Sequence, residues 1–535
     1  MHLAVFAGGC TLEAAEVVRG SGSDLGSDLL DGVQSLVDNS LLRQREGAEG
    51  APRFSMFETI REYALEQSAA SGEIGAVRRR HAQYYLELAE TAAASGDESS
   101  WLARLEEEQD NLRAALGWML DQHEIAAGLW LGAALRWFWI MRGSPSEGRR
   151  WLKMFLVRSD QQHIPAMTRA DALFVAGDLA GLQDDVAGAI ALLEVALQLY
   201  RSSGNPQGEA RVLHELGRTV GRHGDSARGA ALLDESLACY HALGDRRGIA
   251  EVLLTRAGGT ALWDGDFDRA VAMTEESLRL FREVGHRRGS ADALGTLGYL
   301  LHDRGDLERG AALMEEALGL ARELGDKTGI IDTLFHGGVI AYRQGDIARA
   351  RLLLEEALEL ERTWGSNQDG AAPLLLLAVT ARYAGDLEQA QALLDEVVGL
   401  TPQSAVPFRI ALIQRYQADV AYDQGDVNRA VRLYAESLGV VRELGTKWDC
   451  AACIEGLAAV AGAQGETARA VRLWSSAGAI REAIGAPLPP VDRPHRDSAH
   501  ARLRAALGTA TFDGLWAEGR EMTLEQAVAY ALEET

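Results

Sequence analysis

Lysine and cysteine are both scarce in this 535-residue chain, and each scarcity removes a class of function. The four cysteines, Cys10, Cys239, Cys450 and Cys453, are too few for a disulfide scaffold and suit a reducing compartment. The only lysines are Lys153, Lys327 and Lys447, and none follows a glycine. A phosphate-binding Gly-x-x-x-x-Gly-Lys-Ser/Thr loop is therefore excluded from these residues. Positive charge is short overall: the formal net charge is −25, which repels phosphate backbones, so direct DNA binding is not expected. No apolar run nears the roughly 20 residues that cross a bilayer. Met1–Cys10 lacks the charged and long apolar regions of a signal peptide, so a cytoplasmic location is expected. The twelve histidines form no His-Glu-x-x-His, and Gly143-Ser144-Pro145-Ser146 is not a Gly-x-Ser-x-Gly elbow. No catalytic constellation assembles, and neither enzyme activity, a metal nor a cofactor is expected.

What is abundant is Ala, Leu, Glu and Arg, a helix-forming vocabulary, together with a surplus of glycine. The glycine is ordered. Gly-Asp recurs at Gly224-Asp225, Gly265-Asp266, Gly305-Asp306, Gly345-Asp346, Gly385-Asp386 and Gly425-Asp426, and Gly465-Glu466 continues the series. The spacing is 41 once and 40 thereafter, with an eroded copy at Asp184-Asp185, as in stacked-repeat architectures. Each period reads as two helices. One follows the Gly-Asp turn and stops at a pair such as Leu243-Gly244, Leu324-Gly325 or Leu444-Gly445, where glycine suits the left-handed position past a helix end. The other runs to the next Gly-Asp.

Three small-residue positions recur in register. Gly217, Gly258, Gly298, Gly338, Ala378, Ala418 and Ala458 lie mid-way along the helix before Gly-Asp. Gly229, Ala270, Gly310, Ala350, Ala390, Ala430 and Ala470 lie early in the helix after it, and Ser236, Ser277, Ala317, Ala357, Ser437 and Ala477 follow, with Val397 the exception. This pattern resembles the tetratricopeptide repeat family, although the period exceeds that family's usual ~34 residues. The resemblance implies a superhelix whose groove binds a partner, since single repeats bury their apolar faces only against neighbours.

Residues 1–75 read differently. Helices are predicted at Thr11–Val18, Ser27–Asp38 and Glu58–Ser68, and strands at Leu41–Arg45 and Arg53–Met56 around the polar loop Glu46–Pro52: a winged-helix pattern. The phrases LAVFAGGCTLEAAEVV, LVDNSLL, RFSMFETIREYALEQ and EEEQDNLRAALGW resemble bacterial signal-transduction ATPases with an NB-ARC-type nucleotide-binding module, some of which end in a LuxR-type DNA-reading domain. In that family these segments follow the ATPase core. The resemblance implies a winged helix, a helical linker and then tetratricopeptide repeats, with the ATPase core lacking from this chain. Either that module is encoded upstream or the chain is a free-standing remnant. No LuxR-type module is expected after the terminal helices Asp497–Leu507 and Thr523–Leu532.

The expected fold is thus all-α, a tetratricopeptide-repeat superhelix (α-solenoid) preceded by a small winged-helix domain. The expected division is a winged helix at 1–75, a helical linker at 76–165, repeats at 166–486, and a Pro-containing linker with C-terminal helices at 487–535. The basic run Arg78-Arg79-Arg80-His81 reads as a solvated helix face, Cys450-x-x-Cys453 as two small helix residues, and pairs such as Glu315-Glu316 and Glu355-Glu356 as solvated surface. In the repeat family the groove is lined by first-helix positions four apart, which share a face. With their neighbours these are His214, Arg218, Arg222, Trp263, Tyr299, His302, Asp303, Tyr342, Arg343, Arg382, Tyr383, Arg415, Tyr422 and Asp423. Arginine and aromatics are the residues that dominate binding energy at interfaces. The expected function is a sensor or scaffold arm of a signal-transduction regulator that takes a protein, peptide or small effector in the groove. A free-standing repeat adaptor and a winged-helix DNA-binding regulator are the alternatives.

Overall fold

The computed structural model describes every residue except 1, 21–25, 48–49, 71, 95–97, 142–143, 160–161, 163, 184, 224, 262–264, 365–369, 402–406 and 534–535. It divides into two compact units, Met1–Gly208 and Glu209–Thr535.

The first unit opens with a winged helix. Strand β1 (Cys10–Thr11) precedes α1 (Leu12–Arg19), α2 (Gly26–Asp38), β2 (Leu42–Glu46), β3 (Pro52–Met56) and α3 (Glu58–Ala70). The antiparallel sheet has the order β1-β3-β2, with Phe54 opposite both Cys10 and Gln44. The short β1 was not anticipated. Thr11 belongs to it and caps α1 from outside, its hydroxyl accepting from the Ala14 N–H at 3.2 Å. Six helices follow: α4 (Ile74–Ala94), α5 (Glu98–Glu107), α6 (Gln109–Asp121), α7 (Ile125–Ala134), α8 (Arg136–Met141) and α9 (Pro145–Ser159). The unit's last helix pair is α10 (Ala166–Gly181) and α11 (Val186–Ser202).

The two sequence phrases around Arg53 and Glu108 meet in a buried polar knot. Arg53, fully buried, makes a bidentate pair with Glu108, and its Nη2 donates to the Gly9 carbonyl at 3.1 Å. The Tyr85 hydroxyl and Asn111 Nδ2 donate to the same carboxylate at 2.8 and 2.7 Å. Asn111 Oδ1 accepts from the Ala7 N–H at 2.8 Å. A buried charge is tolerable only when paired and hydrogen-bonded, and this knot fastens β3 to α4 and α6. The basic run also divides. Arg78 and Arg79 are exposed, Arg80 donates to the Val18 carbonyl at 2.7 Å, and His81 is buried against Phe6 and Tyr85. It is thus only half the solvated face that its charge suggests.

The unit boundary falls in the first turn of α12 (Pro206–Arg222), which pairs in sequence with α13 (Ser226–Leu243). The following pairs are α14 (Arg246–Gly259) with α15 (Phe267–Glu283), α16 (Arg287–Asp303) with α17 (Leu307–Leu324), and α18 (Lys327–Gln344) with α19 (Ile347–Trp364). Then come α20 (Ala371–Tyr383) with α21 (Leu387–Leu400), α22 (Pro407–Asp423) with α23 (Val427–Leu444), and α24 (Lys447–Gln464) with α25 (Thr467–Ala483). Helices α26 (Arg493–Leu507), α27 (Thr509–Arg520) and α28 (Leu524–Leu532) close the unit. The first of these begins four residues before the sequence reading, and α27 is additional.

The Gly-Asp pair ends one helix and starts the next. Gly345 is left-handed (φ 89°) and donates to the Tyr342 carbonyl at 2.9 Å, while the Asp346 N–H reaches the Ala341 carbonyl at 2.9 Å. The Asp346 carboxylate then accepts from the Arg349 N–H at 3.0 Å, capping α19. The small positions sit where paired helices cross. A Cβ at Gly298 would lie 2.8 Å from the Gly310 carbonyl oxygen, and one at Gly310 2.7 Å from that of Gly298. The recurring serines tie pairs together: Ser236, Ser277 and Ser437 donate to the carbonyls of Ala210, Ala250 and Ala411 at 2.7–2.8 Å. On the outer helices the paired glutamates form a ladder between repeats, Arg282 to Glu316 (3.0 Å), Arg322 to Glu356 (2.6 Å) and Arg362 to Glu396 (3.2 Å).

Consecutive first helices also touch one another, α14 to α16, α16 to α18, α18 to α20, α20 to α22 and α22 to α24, so they form a continuous inner wall. That wall curls on itself: Ile484 and Ala486, beyond α25, are buried in the apolar core of α14–α16, beside Trp448.

Candidate functional site

After α25 the chain turns back along the inner wall. Its proline-containing stretch runs over α18, where the Val491 N–H donates to the Arg343 carbonyl at 3.2 Å. The Tyr383 hydroxyl donates to the Asp492 carboxylate, and the Tyr383 ring meets that of His495 edge-on at 6.2 Å. Helix α26 continues over α24. Between this strap and helices α18, α20, α22, α24 and α25 lies a cavity of about 550 Å³. That size suits a small molecule.

Its wall is built of arginines and aromatic rings. Arg382 Nε donates to Asp423 at 2.5 Å, with Asp419 3.7 Å away. The Tyr434 hydroxyl donates to Asp419 at 2.5 Å. Arg481, 96% buried, grips Glu455 through Nε and Nη2 at 2.6 and 2.7 Å. Trp448 lies between two guanidinium groups, Arg343 at 4.8 Å and Arg481 at 4.9 Å from its ring. Arg415, 92% buried, lies over Tyr416 at 4.0 Å, and its nearest carboxylate, Asp419, is 3.9 Å away. Its Nε has no hydrogen-bond partner, and neither has Arg481 Nη1. Burial pushes the Asp492 carboxyl above its ordinary value against the opposing effect of the Tyr383 hydrogen bond, and it raises Asp449 below the pocket in the same way.

Of the residues that sequence spacing singled out, Tyr342, Arg343, Arg382, Tyr383, Arg415, Tyr422 and Asp423 line this cavity together. Tyr342 meets Tyr383 edge-on at 5.3 Å, and the Tyr422 hydroxyl reaches the Ala459 carbonyl at 3.4 Å. The others lie elsewhere. Near the start of the unit, His214 Nε2 is 2.8 Å from the Thr255 hydroxyl, Arg218 pairs with Glu215 at 3.1 Å, and Arg222 is exposed at the end of α12. Tyr299 stands against His336 at 5.2 Å. Spacing placed His302 and Asp303 on the groove surface, but the packing of α16 against α17 and α18 withdraws them. His302 is 4% exposed and Asp303 is buried in its pair with Arg343. Burial, with the nearby Arg343 charge, lowers the His302 pKa to about 3. Trp263 lies outside the described residues.

Sequence spacing missed Trp448, Glu455, Arg481, Asp492 and His495. The first two sit on α24, beyond the repeats whose groove positions were assigned. Arg481 belongs to a second helix, which the first-helix rule does not reach. Asp492 and His495 lie in what reads as a linker; the prolines at 487, 489 and 490 were the available signal of a stiff non-helical stretch, and Pro494 that of a helix start. Cys450 and Cys453 are buried within α24, where desolvation pushes each thiol up to about 12. Among the described residues no group of His, Cys, Asp and Glu is placed to hold a metal ion, and no helix is long and apolar enough to cross a membrane.

Comparison with known proteins agrees with the two parts of this architecture. Residues 1–69 match the winged helix-turn-helix domain family, and residues 245–433 match the MalT-like TPR region. Proteins of Mycobacterium tuberculosis and Mycobacterium bovis, each named "Putative HTH-type transcriptional regulator", are 34% identical over 227 residues. The match covers 40% of this chain and 25% of theirs, so it spans about a quarter of the length of these relatives. Among solved structures, a Rap protein complexed with Competence and Sporulation Factor superposes with a TM-score of 0.51 at 12% identity, covering 68% of this chain and 98% of that one. That likeness concerns the fold alone. The chain therefore combines a winged helix-turn-helix domain with a MalT-like tetratricopeptide region, and is similar to HTH-type transcriptional regulators.

Proposed function

We propose that this chain is the sensing arm of a bacterial signal-transduction regulator, without catalytic activity of its own, and that its effector is a small molecule held in the cavity beneath the strap. One observation carries this reading: the chain's own strap, from Leu488 to Ala506, lies along the groove of the repeats and forms one side of a partly open space of about 550 Å³. A space of that size suits a small effector lying against the strap. The Rap protein, solved with its factor bound, supports a ligand-binding role for this kind of fold. Effector binding would favour one arrangement of strap and repeats over another, the differential affinity that any switch requires.

The organisation that goes with this reading is a winged helix at 1–75, a linker at 76–165, repeats at 166–486 and the strap with terminal helices at 487–535. The nucleotide-binding module of the ATPases that the chain resembles would act with it in a cytoplasmic regulator. His214, Arg218 and Arg222, away from the cavity, are proposed to face a protein or peptide partner, as is Trp263.

Titration of the full chain with N-phenylnaphthylamine and with anilinonaphthalenesulfonate, followed by dye fluorescence, tests the cavity. Saturable binding of at least one dye at one site per chain is expected, and Ala459→Phe, which sets a ring in the lining of the space, weakens it. Binding of neither dye, or binding untouched by Ala459→Phe, overturns the reading.

A further inference from the structure

The cavity also indicates the chemistry of its occupant, an inference that rests on the effector reading above. Five arginines (Arg343, Arg382, Arg415, Arg481 and Arg502) and four carboxylates (Asp419, Asp423, Glu455 and Asp492) line it. Arg343 is further paired with Asp303, outside the lining. The carboxylates are already satisfied. Asp423 is held by Arg382, Asp419 by Tyr434, Glu455 by both arms of Arg481, and Asp492 by Tyr383.

Two of the arginines are not. Arg415 is 92% buried, its Nε is without a partner, and its one close carboxylate stands 3.9 Å off, beyond hydrogen-bond range. Arg481 keeps Nη1 unpartnered after engaging Glu455. Both arginines line the one cavity. Asp449 attracts both without a hydrogen bond to either, and burial disfavours its charged form. A buried, incompletely satisfied guanidinium group such as that of Arg415 is costly unless an acceptor joins it. Tyr416 beneath Arg415 and Trp448 beside Arg481 fix the planes of both groups, and they leave an aromatic and apolar wall around the remaining space.

We infer that the cavity takes a small organic acid, with an aromatic or apolar body, whose carboxylate or phosphate accepts charge-assisted hydrogen bonds from the Arg415 guanidinium group. The body rests against Tyr416, Tyr422 and Trp448. Planar guanidinium groups match the oxygens of either acid, and the enclosing wall strengthens the charge-assisted bonds.

The test compares the two dyes, which share an aromatic body and differ in the sulfonate. The full-length wild type is expected to bind anilinonaphthalenesulfonate at least about tenfold more tightly than N-phenylnaphthylamine, the effect of one charge-assisted hydrogen bond. Arg415→Met should weaken the sulfonate by roughly ten- to a hundredfold and change the neutral dye less than about twofold, with Arg415→Lys in between. Loss of an unpaired buried charge does not destabilise, so an unchanged melting curve for Arg415→Met keeps folding out of the comparison. Displacement of the bound sulfonate by phenylacetate identifies a carboxylate site, displacement by phenyl phosphate a phosphate site, and displacement by neither overturns the inference. Equal affinity for both dyes in the wild type, or equal loss of both in Arg415→Met, also overturns it while leaving the cavity reading intact. Binding of neither dye defeats both readings.

Discussion

Replacing Glu108 with Gln removes a single charge from the Arg53 knot and preserves its shape. Arg53 is fully buried and Glu108 4% exposed, so the guanidinium left behind has no solvent to turn to. Its bidentate partner becomes a neutral amide that can accept through one oxygen only. The Tyr85 and Asn111 donors, at 2.8 and 2.7 Å from the same carboxylate oxygen, lose a charged acceptor at the same time. Breaking a buried pair from one side costs about 3–5 kcal/mol, whereas replacing both partners by apolar residues of similar volume is far milder. Glu108→Gln should therefore cost about 3–5 kcal/mol, and the double variant Arg53→Met/Glu108→Leu clearly less. Because a chain of two units need not unfold in one step, amide hydrogen exchange of β3 and α6 is the suitable assay, read beside urea denaturation. A loss below about 1 kcal/mol in Glu108→Gln, or a double variant as damaged as the single one, would refute the account of the knot.

Gly298→Ala sets a Cβ 2.8 Å from a backbone oxygen and should lower stability by about 1–3 kcal/mol, while Gly319→Ala, with open space around it, should raise it by up to ~1 kcal/mol; thermal melts of the two decide. His302, held near pKa 3, stays neutral in the folded state, whereas the unfolded chain takes up a proton below about pH 6.5. Stability should therefore fall as pH drops from about 6.5 towards 3, and a ring titration by NMR above about pH 6 would contradict its burial. Arg322→Ala cuts one rung of the exposed ladder and should cost under ~1 kcal/mol in urea unfolding, since both partners are about half exposed. Asp492→Asn weakens the hold of Tyr383 on the strap, and exchange of the Val491 amide should speed up without a change in global melting.

The elements of the repeats were readable in the sequence because their determinants are local and periodic. A left-handed glycine followed by a capping aspartate acts within one turn of helix, and Gly298 facing Gly310 repeats a requirement that each crossing imposes. The strands of the wing were legible from their flanking turn residues to within a residue at each end. The short β1 was not, because two residues pair only when β3 is already in place.

About half of the groove positions assigned from spacing share the cavity, because that spacing describes a face of a helix and faces of stacked helices align. What the sequence by itself determined is thus the helices, their caps, their close crossings and the face that each turns inward. The tertiary structure alone decided which of those faces become a site. The curl of the repeats buries Ile484 with α14–α16, and that contact directs the proline-containing strap across the wall. The strap forms one side of the space that Arg415, and Arg481 from a second helix, line. These contacts join residues tens to hundreds of positions apart, and their strength depends on burial, a property of the packed whole that no local run of residues contains.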